Sequence, residues 1–432
     1  MAARASTAPP RGMRDVLPPE VELRDAATQR ILAVYRSFGF RRVETPALES
    51  LRLLAGSEGG ENEKLIFKVL KRGDDLQQAL KGGGDLADLG LRYDLTVPLG
   101  RYYAENHAHL PDPLKAIQVG PVWRAERPQR GRYRQFTQCD IDTLGLASAV
   151  VEVEQILATC EALTRLGLAD LTVRINDRRI LGLIGHHCGF TDGEQAGFFI
   201  SFDKLDKLGT EGVLEELRGS GLPGAAIERF ERLLPTLQKG ETSLPALRDL
   251  LGGGEAFESL DWIVRTANAE LPAGARVRSD PTLVRGMGYY TGTIFEIASP
   301  AYRSSIAGGG RYDRMVGKLL GRDVPACGFS IGFERLITIL TEQGHALTGG
   351  SETTATGRRI ALLVDAGGDL TAALAAARAL RGEGQLVSLE LRRKNVGKQL
   401  ADLATHGFWG YATVEGAAPA VVKPLTAARG GR

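Results

Sequence analysis

The residues with the most chemistry to offer lie between Gly120 and Asp142, in GPVWRAERPQRGRYRQFTQCDID. Arg124, Arg127, Arg130, Arg132 and Arg134, with Glu126 among them, fall within eleven residues, between two segments that read as strands. A purely structural hairpin has no use for this charge density, because like charges across a turn repel. A hairpin that grips a polyphosphate does, since guanidinium forks bind phosphate oxygens bidentately. The competing reading of the run is a solvated basic loop.

Other segments carry groups of a complementary kind. In QCDID, Gln138, Asp140 and Asp142 share one face of a strand at period two, which makes either a polar pocket wall or a solvent-facing strand. RYDLTVPL (92–99) reads as a strand with Asp94 and Thr96 on one face, a carboxylate and a hydroxyl that together could receive an ammonium group. The plainer alternative is a surface ion pair of Arg92 with Asp94. LVRGMGYYTG places Arg285 in a turn, where Gly286 and Gly288 admit a close approach and Tyr289 and Tyr290 offer a ring floor. GGGRYD (308–313) reads as a glycine-led turn and, more weakly, as a phosphate cradle. FSIGFERL puts Glu334 and Arg335 at the start of a buried helix, and a buried arginine needs a phosphate or carboxylate partner.

The elements that must position these groups follow from hydrophobic periodicity. Pro19 to Phe38 reads as an amphipathic helix, with Leu23, Ala27, Ile31, Val34 and Phe38 on one face and Gly39 as its stop. A second helix is expected from about Leu146 to Leu166, followed by the strand LTVRIND. Residues 178–272 are dominated by helical patterns and read as an insertion into a larger α/β body occupying 1–177 and 273–340. Strand signals return in VRSDPTLVRG, YYTGTIFEIA and RSSIAGGG. The body's sheet is expected to be antiparallel. A polar linker (341–357) leads to 358–432, whose β-α-β-α pattern predicts a small α/β domain on a mostly parallel sheet.

Composition sets outer bounds. The chain has 432 residues, 43% hydrophobic and 25% charged, which suits two or three globular domains. Net charge is only +2, so no global field draws it to nucleic acid. The last 75 residues, however, hold 11 Lys+Arg against 6 Asp+Glu, a basic tail suited to a polyanion. Cys139, Cys160, Cys188 and Cys327 show no metal spacing, and the contiguous His186–His187–Cys188 cannot aim three side chains at one ion, so no metal site is expected. No apolar run is long enough to span a bilayer, and MAARASTAPP reads as neither signal nor transit peptide, which together point to the cytoplasm.

Taken together, these segments resemble a known family. GPVWRAERPQRGRYRQF resembles motif 2 of class II aminoacyl-tRNA synthetases, GFSIGFERL resembles motif 3, and PRGMRDVLPPE with the long helix and RRVETP resembles motif 1. LVRGMGYYTGTIFE and GGGRYD are similar to the two signature peptides of histidyl-tRNA synthetases. RYDLTVPL, VRINDRRI and SFDKLDKLG look like the branch that includes the eukaryotic cytosolic enzymes. The resemblance runs from about Pro10 to about Gly416.

The resemblance implies an α+β catalytic core on an antiparallel sheet, an anticodon-binding-like C-terminal domain, a homodimer, and tRNA(His), L-histidine and ATP with Mg²⁺ as partners. It implies that Arg285 is the catalytic arginine, bridging the substrate carboxylate and the α-phosphate, which Arg124 also holds. Asp94, Thr96 and Gln138 would receive the α-amino group, Asp142 and Tyr290 would read the imidazole, and Tyr289 would line the pocket. ATP would meet Glu126 near adenine, Arg132 at the outer phosphates, Phe136 against the ring and Arg335 opposite it. Two departures stand out: RGMGYY has Gly288 where the family usually has an aspartate, and the tail stops soon after VVKPL. The regulatory subunit of ATP phosphoribosyltransferase, a histidine-binding paralogue, is the alternative. Such subunits generally lack the tail domain and parts of the catalytic set that this chain retains.

Overall fold

The structure, a computed structural model, describes residues 6–56, 62–128, 133–285, 290–344, 357–365, 368–414 and 420–425. The chain divides into two compact units, Met1–Leu347 and Thr348–Arg432. In chain order the strands of the first unit are β1 (Arg41–Arg42), β2 (Leu48–Ser50), β3 (Lys68–Leu70), β4 (Ala87–Leu91), β5 (Leu114–Trp123), β6 (Gln135–Leu144), β7 (Leu171–Asp177), β8 (Ala275–Ser279), β9 (Thr293–Ser299), β10 (Tyr302–Arg311) and β11 (Ala326–Gly332). Among the described residues they form an eight-stranded sheet in the order β1-β5-β6-β11-β10-β9-β7-β8 and a small sheet β2-β4-β3. The central strands of the large sheet are antiparallel, as the hairpin-rich sequence implied. Its two outermost pairs, β1 with β5 and β7 with β8, are parallel.

One face of this sheet carries the helix Pro18–Ser37 and the helix Val150–Arg165. Their stripes, Ala27, Ile31, Val34 and Tyr35 on one and Ile156, Cys160 and Leu163 on the other, pack in one core with Cys139 and Ile141 of β6. The first helix begins on Pro18 and Pro19, where the missing N–H groups cost nothing, and ends before Gly39 at φ +83°. The opposite face packs Leu99 and Tyr103 against Met315, Val316 and Leu144. Between β7 and β8 the chain runs through six helices from Arg178 to Glu270, whose Phe198, Phe230 and Phe257 join the sheet's own core.

Two sequence expectations are corrected. RYDLTVPL is not a strand: β4 ends at Leu91 and a helix, Thr96–Asn106, starts within the motif. Tyr93, Leu95, Val97 and Leu99 are buried, but so are Asp94, Pro98 and Gly100, and burial on every side erases the periodic signal that separates strand from helix. Pro98 fits because it stands in the first turn, where its absent N–H has no partner to lose. GGGRYD is likewise not a turn, since Gly308–Gly310 lie inside β10. A Cβ on Gly309 would come within 2.0 Å of the Gly328 carbonyl oxygen, so this glycine serves close strand packing.

The second unit pairs β12 (Arg359–Val364), β13 (Leu386–Leu391) and β14 (Gly410–Thr413) in parallel, with β15 (Lys423–Pro424) antiparallel at one edge. Its order is β13-β12-β14-β15. Helices Leu370–Gly382 and Val396–Thr405 follow β12 and β13, giving the β-α-β-α succession read from sequence.

Candidate active site

The site is built on β6. Its odd-numbered Cys139 and Ile141 point into the core, so Gln138, Asp140 and Asp142 face the other way. The partners of two of them across the neighbouring strands are small: Asp142 stands opposite Ala116 and Gly328, and Gln138 opposite Gly120 and Gly332, while Asp140 stands opposite Gln118 and Ser330. A Cβ on Gly328 would lie 2.0 Å from Asp142 Oδ1, so the glycine is what gives that carboxylate room. The result is a cavity of about 230 Å³, below the roughly 300–1,000 Å³ of drug-sized sites. Asp94, Thr96, Arg124, Gln138, Asp142 and Tyr290 all line it.

Its electrostatics are those of buried carboxyls whose ionisation a neighbouring cation would favour. Burial pushes the Asp94 carboxyl up to about 6 and that of Asp142 up to about 7, where the Tyr312 hydrogen bond of 2.5 Å works the other way. Asp140 is driven well above the carboxylate range, by burial first and then by the charge of Asp142. Asp94 Oδ1 accepts from the Val97 amide at 3.2 Å, which satisfies one N–H of the helix start and fixes the carboxylate. Gln138 Oε1, Asp140 Oδ1 and Asp142 Oδ2 are buried without a hydrogen-bond partner. Orphaned buried acceptors are costly and imply a donor-rich ligand. The surface ion pair considered for Arg92 and Asp94 does not form; Arg92 is buried and donates to Thr45 O at 2.7 Å and Pro121 O at 3.0 Å.

A second cavity, about 380 Å³, adjoins the first. Arg124, Gln138, Tyr290, Gly308 and Ser330 line both. Here the cations gather: Arg124, Arg127, Arg285 and Arg335, with Glu126 and Phe136. Arg124 donates through Nε to Tyr93 O at 3.0 Å and sits 5.0 Å from the Phe136 ring centroid. Arg285 Nη1 lies 3.1 Å from Glu296 Oε2, and its guanidinium fills the space a side chain at Gly308 would need, 2.9 Å from that Cβ position. Arg335 donates to the Ser305 carbonyl. Glu334, its neighbour, instead takes Arg24 at 2.7 Å and the Thr137 amide at 3.1 Å.

The structure thus brings together every sequence-derived site residue that it describes. Arg132 and Tyr289, with Arg130, Gly286 and Gly288, lie outside the described residues. Sequence reasoning left out Tyr312, whose hydroxyl holds Asp142, and Ser305, which lines the arginine-rich cavity. Tyr312 stood in a motif misread as a turn, and Ser305 carried no signal at all. Asp140 shared the period-two face but was given no role. Among the described residues no group of three or more His, Cys, Asp or Glu could hold a metal ion, and no helix is long and apolar enough to cross a membrane.

The family model for histidyl-tRNA synthetase matches residues 12–336. The chain belongs to the histidyl-tRNA synthetase family. A histidine–tRNA ligase of Leifsonia xyli is 46% identical over 97% of this chain and 98% of its own length. A probable histidine–tRNA ligase of Tropheryma whipplei is 42% identical over 77% of this chain and 80% of its own. In fold, the chain is similar to the crystal structure of histidyl-tRNA synthetase from Nostoc, with a TM-score of 0.76 and 26% identity over 98% of this chain and 95% of that one. Family membership covers the whole two-cavity site, since all its described lining residues lie between Leu65 and Arg335.

Proposed function

We infer that this chain is a histidine–tRNA ligase: it joins L-histidine to ATP as histidyl-adenylate, releasing pyrophosphate, and passes the histidyl group to the 3′ end of tRNA(His). The observation that carries the mechanism is the meeting of a carboxylate-lined cavity with an arginine-lined one at Arg124. In the smaller cavity Asp94, Thr96 and Gln138 receive the α-ammonium, while Asp142 and Tyr290 read the imidazole, with Tyr289 alongside. In the larger one Phe136 and Arg335 hold adenine between them, Glu126 lies near it, and Arg132 reaches the outer phosphates. The histidine carboxylate then faces the α-phosphorus between Arg124 and Arg285. Both reactants are anionic, so charge concentrates as the pentacoordinate phosphorus forms. Cations fixed in place beforehand stabilise that state more than the separated reactants.

Magnesium enters as part of the MgATP substrate, where it screens the pyrophosphate. Transfer to tRNA is a matter of positioning the terminal ribose beside the adenylate. The unit beyond residue 357 serves as the anticodon-binding domain. Exposed Arg392, Arg393, Lys394 and Lys398 stand at the start of the helix Val396–Thr405 and suit an RNA backbone.

A homodimer is supported by the small sheet β2-β4-β3 and the helix Gly73–Gly82, which buries none of its own residues. Leu48, Leu70, Leu80, Leu86 and Leu89 are exposed there, an apolar surface that a second copy would cover. Four buried cysteines, all free, suit a reducing cytoplasm.

Charging of tRNA(His) with labelled histidine tests the reading. Wild type should charge it, and Lys394→Glu with Lys398→Glu should lower charging severalfold while leaving pyrophosphate exchange intact. Adenylate formation without any charging would remove the ligase reading.

A further inference from the structure

The segment Arg11–Arg14 precedes the first helix and has no part in the mechanism above. It lies against the arginine hairpin where that hairpin leaves the sheet. Gly12 O accepts from the Arg134 amide at 2.7 Å. Gly12 adopts φ +83°, which favours glycine, and a Cβ there would crowd the side chains of Arg134 at 2.9 Å and Pro128 at 3.2 Å. Arg134 in turn ties the hairpin's two limbs together. Its carbonyl accepts from the Arg124 amide at 2.8 Å, and its Nε donates to Glu126 O at 3.0 Å.

Arg14 makes the second attachment. Its Cζ sits 4.9 Å from the Tyr133 ring centroid, and its Nη2 reaches Glu334 Oε2 at 3.4 Å while Nη1 bonds Glu20 at 2.6 Å. Glu334 is the junction. Burial alone would raise its carboxyl, but Arg24, the Thr137 amide and Arg14 hold it below the ordinary range. Arg24 also donates to Thr137 Oγ1 at 3.0 Å. One end of this network is the N-terminal segment, and the other end is the cavity wall. Pro128, Tyr133, Thr137 and Glu334 all line the larger cavity, and none lines the smaller one.

We propose that the N-terminal segment is a clamp on the nucleotide cavity, with Arg14 as its positioning residue: by seating Tyr133 and Glu334 it sets the width of the ATP side and leaves the histidine side untouched. The proposal rests on the assignment of the larger cavity to ATP. Arg14 lines neither cavity. Its effect is to hold the hairpin limbs and the start of the Phe333–Glu342 helix at one separation, so that ATP finds its wall already in place.

The test compares wild type with Arg14→Met and Arg14→Lys by calorimetric titration with MgATP and, separately, with L-histidine, alongside melting temperatures. Met keeps the stem's packing and removes the guanidinium, whereas Lys keeps the charge and loses the planar stack. The clamp predicts ATP binding about tenfold weaker in Arg14→Met, histidine binding within about twofold of wild type, and partial recovery in Arg14→Lys. Unchanged ATP affinity would overturn it. So would equal losses for both ligands accompanied by a lower melting temperature, which would mark Arg14 as a general brace. Pyrophosphate exchange by wild type is read separately: its absence would sink the synthetase reading, while the ratio of affinities would still decide the clamp.

Discussion

The two cavities share a wall and solve opposite problems. The smaller one collects acceptors that have no donor. Three carboxylates stand within it, two of them held up near neutrality by burial, and three oxygens are left unpartnered. The larger one collects donors that are already occupied. Arg124 rests on Tyr93 O, Arg335 on Ser305 O, and Arg285 on Glu296. Buried acceptors without a protein partner are costly unless a donor reaches them, so the small cavity favours a ligand that brings donors to those oxygens. Parked arginines are ready-made positive potential whose position is fixed before phosphate arrives, so the large cavity serves rate more than selection. On the proposed function, specificity and catalysis are thereby separated in space, with Arg124 at the wall that both cavities share.

Substitutions on each side should break that division in different ways. Arg124→Ala, at the shared wall, should have the largest effect, lowering the rate of histidine-dependent pyrophosphate exchange by about 10²–10³-fold with the fold intact by circular dichroism. A mutant rate within a few-fold of wild type would mean that the two cavities do not meet at the reacting phosphorus.

Asp142→Asn should act next in size and on one side only. Losing a charged acceptor should raise the KM for histidine about 10–100-fold and leave the KM for ATP alone. An equal change in both constants would contradict the separation.

The smallest effect concerns stability without ligand. The Asp142 carboxyl has a folded-state pKa raised above its ordinary value, so its contribution is fully present below about pH 4 and is lost as pH rises through about 7. Ligand-free wild type should therefore lose stability between pH 5 and 8. Asp142→Asn should flatten that fall by on the order of 2 kcal/mol, read from urea unfolding at the two pH values. Parallel pH profiles for the two proteins would show that this carboxylate carries no buried charge.

How much of this was legible in the sequence depended on whether a segment had two unlike faces. The helix Pro18–Ser37 does, and its period of 3.6 was plain in the residues; β6 is buried on both faces from Cys139 onward, and its period of 2 showed because one face is polar and the other apolar, Asp140 included. RYDLTVPL is buried all round, so alternation of Tyr93, Leu95, Val97 and Leu99 imitated a strand where a helix begins. The glycines of β10 imitated a turn, because their reason for being glycine is the approach of Gly328 and Arg285, elements distant in sequence. Functional residue types survived both errors. Asp94 lines the cavity from a helix start as it would from a strand, since what fixes it is the Val97 amide. Tyr312 was hidden for the opposite reason: what ties it to the site is a hydroxyl hydrogen bond to a residue 170 positions away.

The most direct measurement is ATP–pyrophosphate exchange by the purified protein with each of the twenty amino acids in turn, beside Arg285→Ala. Exchange is expected with L-histidine alone, reduced to background in the variant. Exchange with several amino acids would contradict selection by the carboxylate-lined cavity. Histidine binding with no exchange at all would contradict the adenylation chemistry assigned to the shared wall.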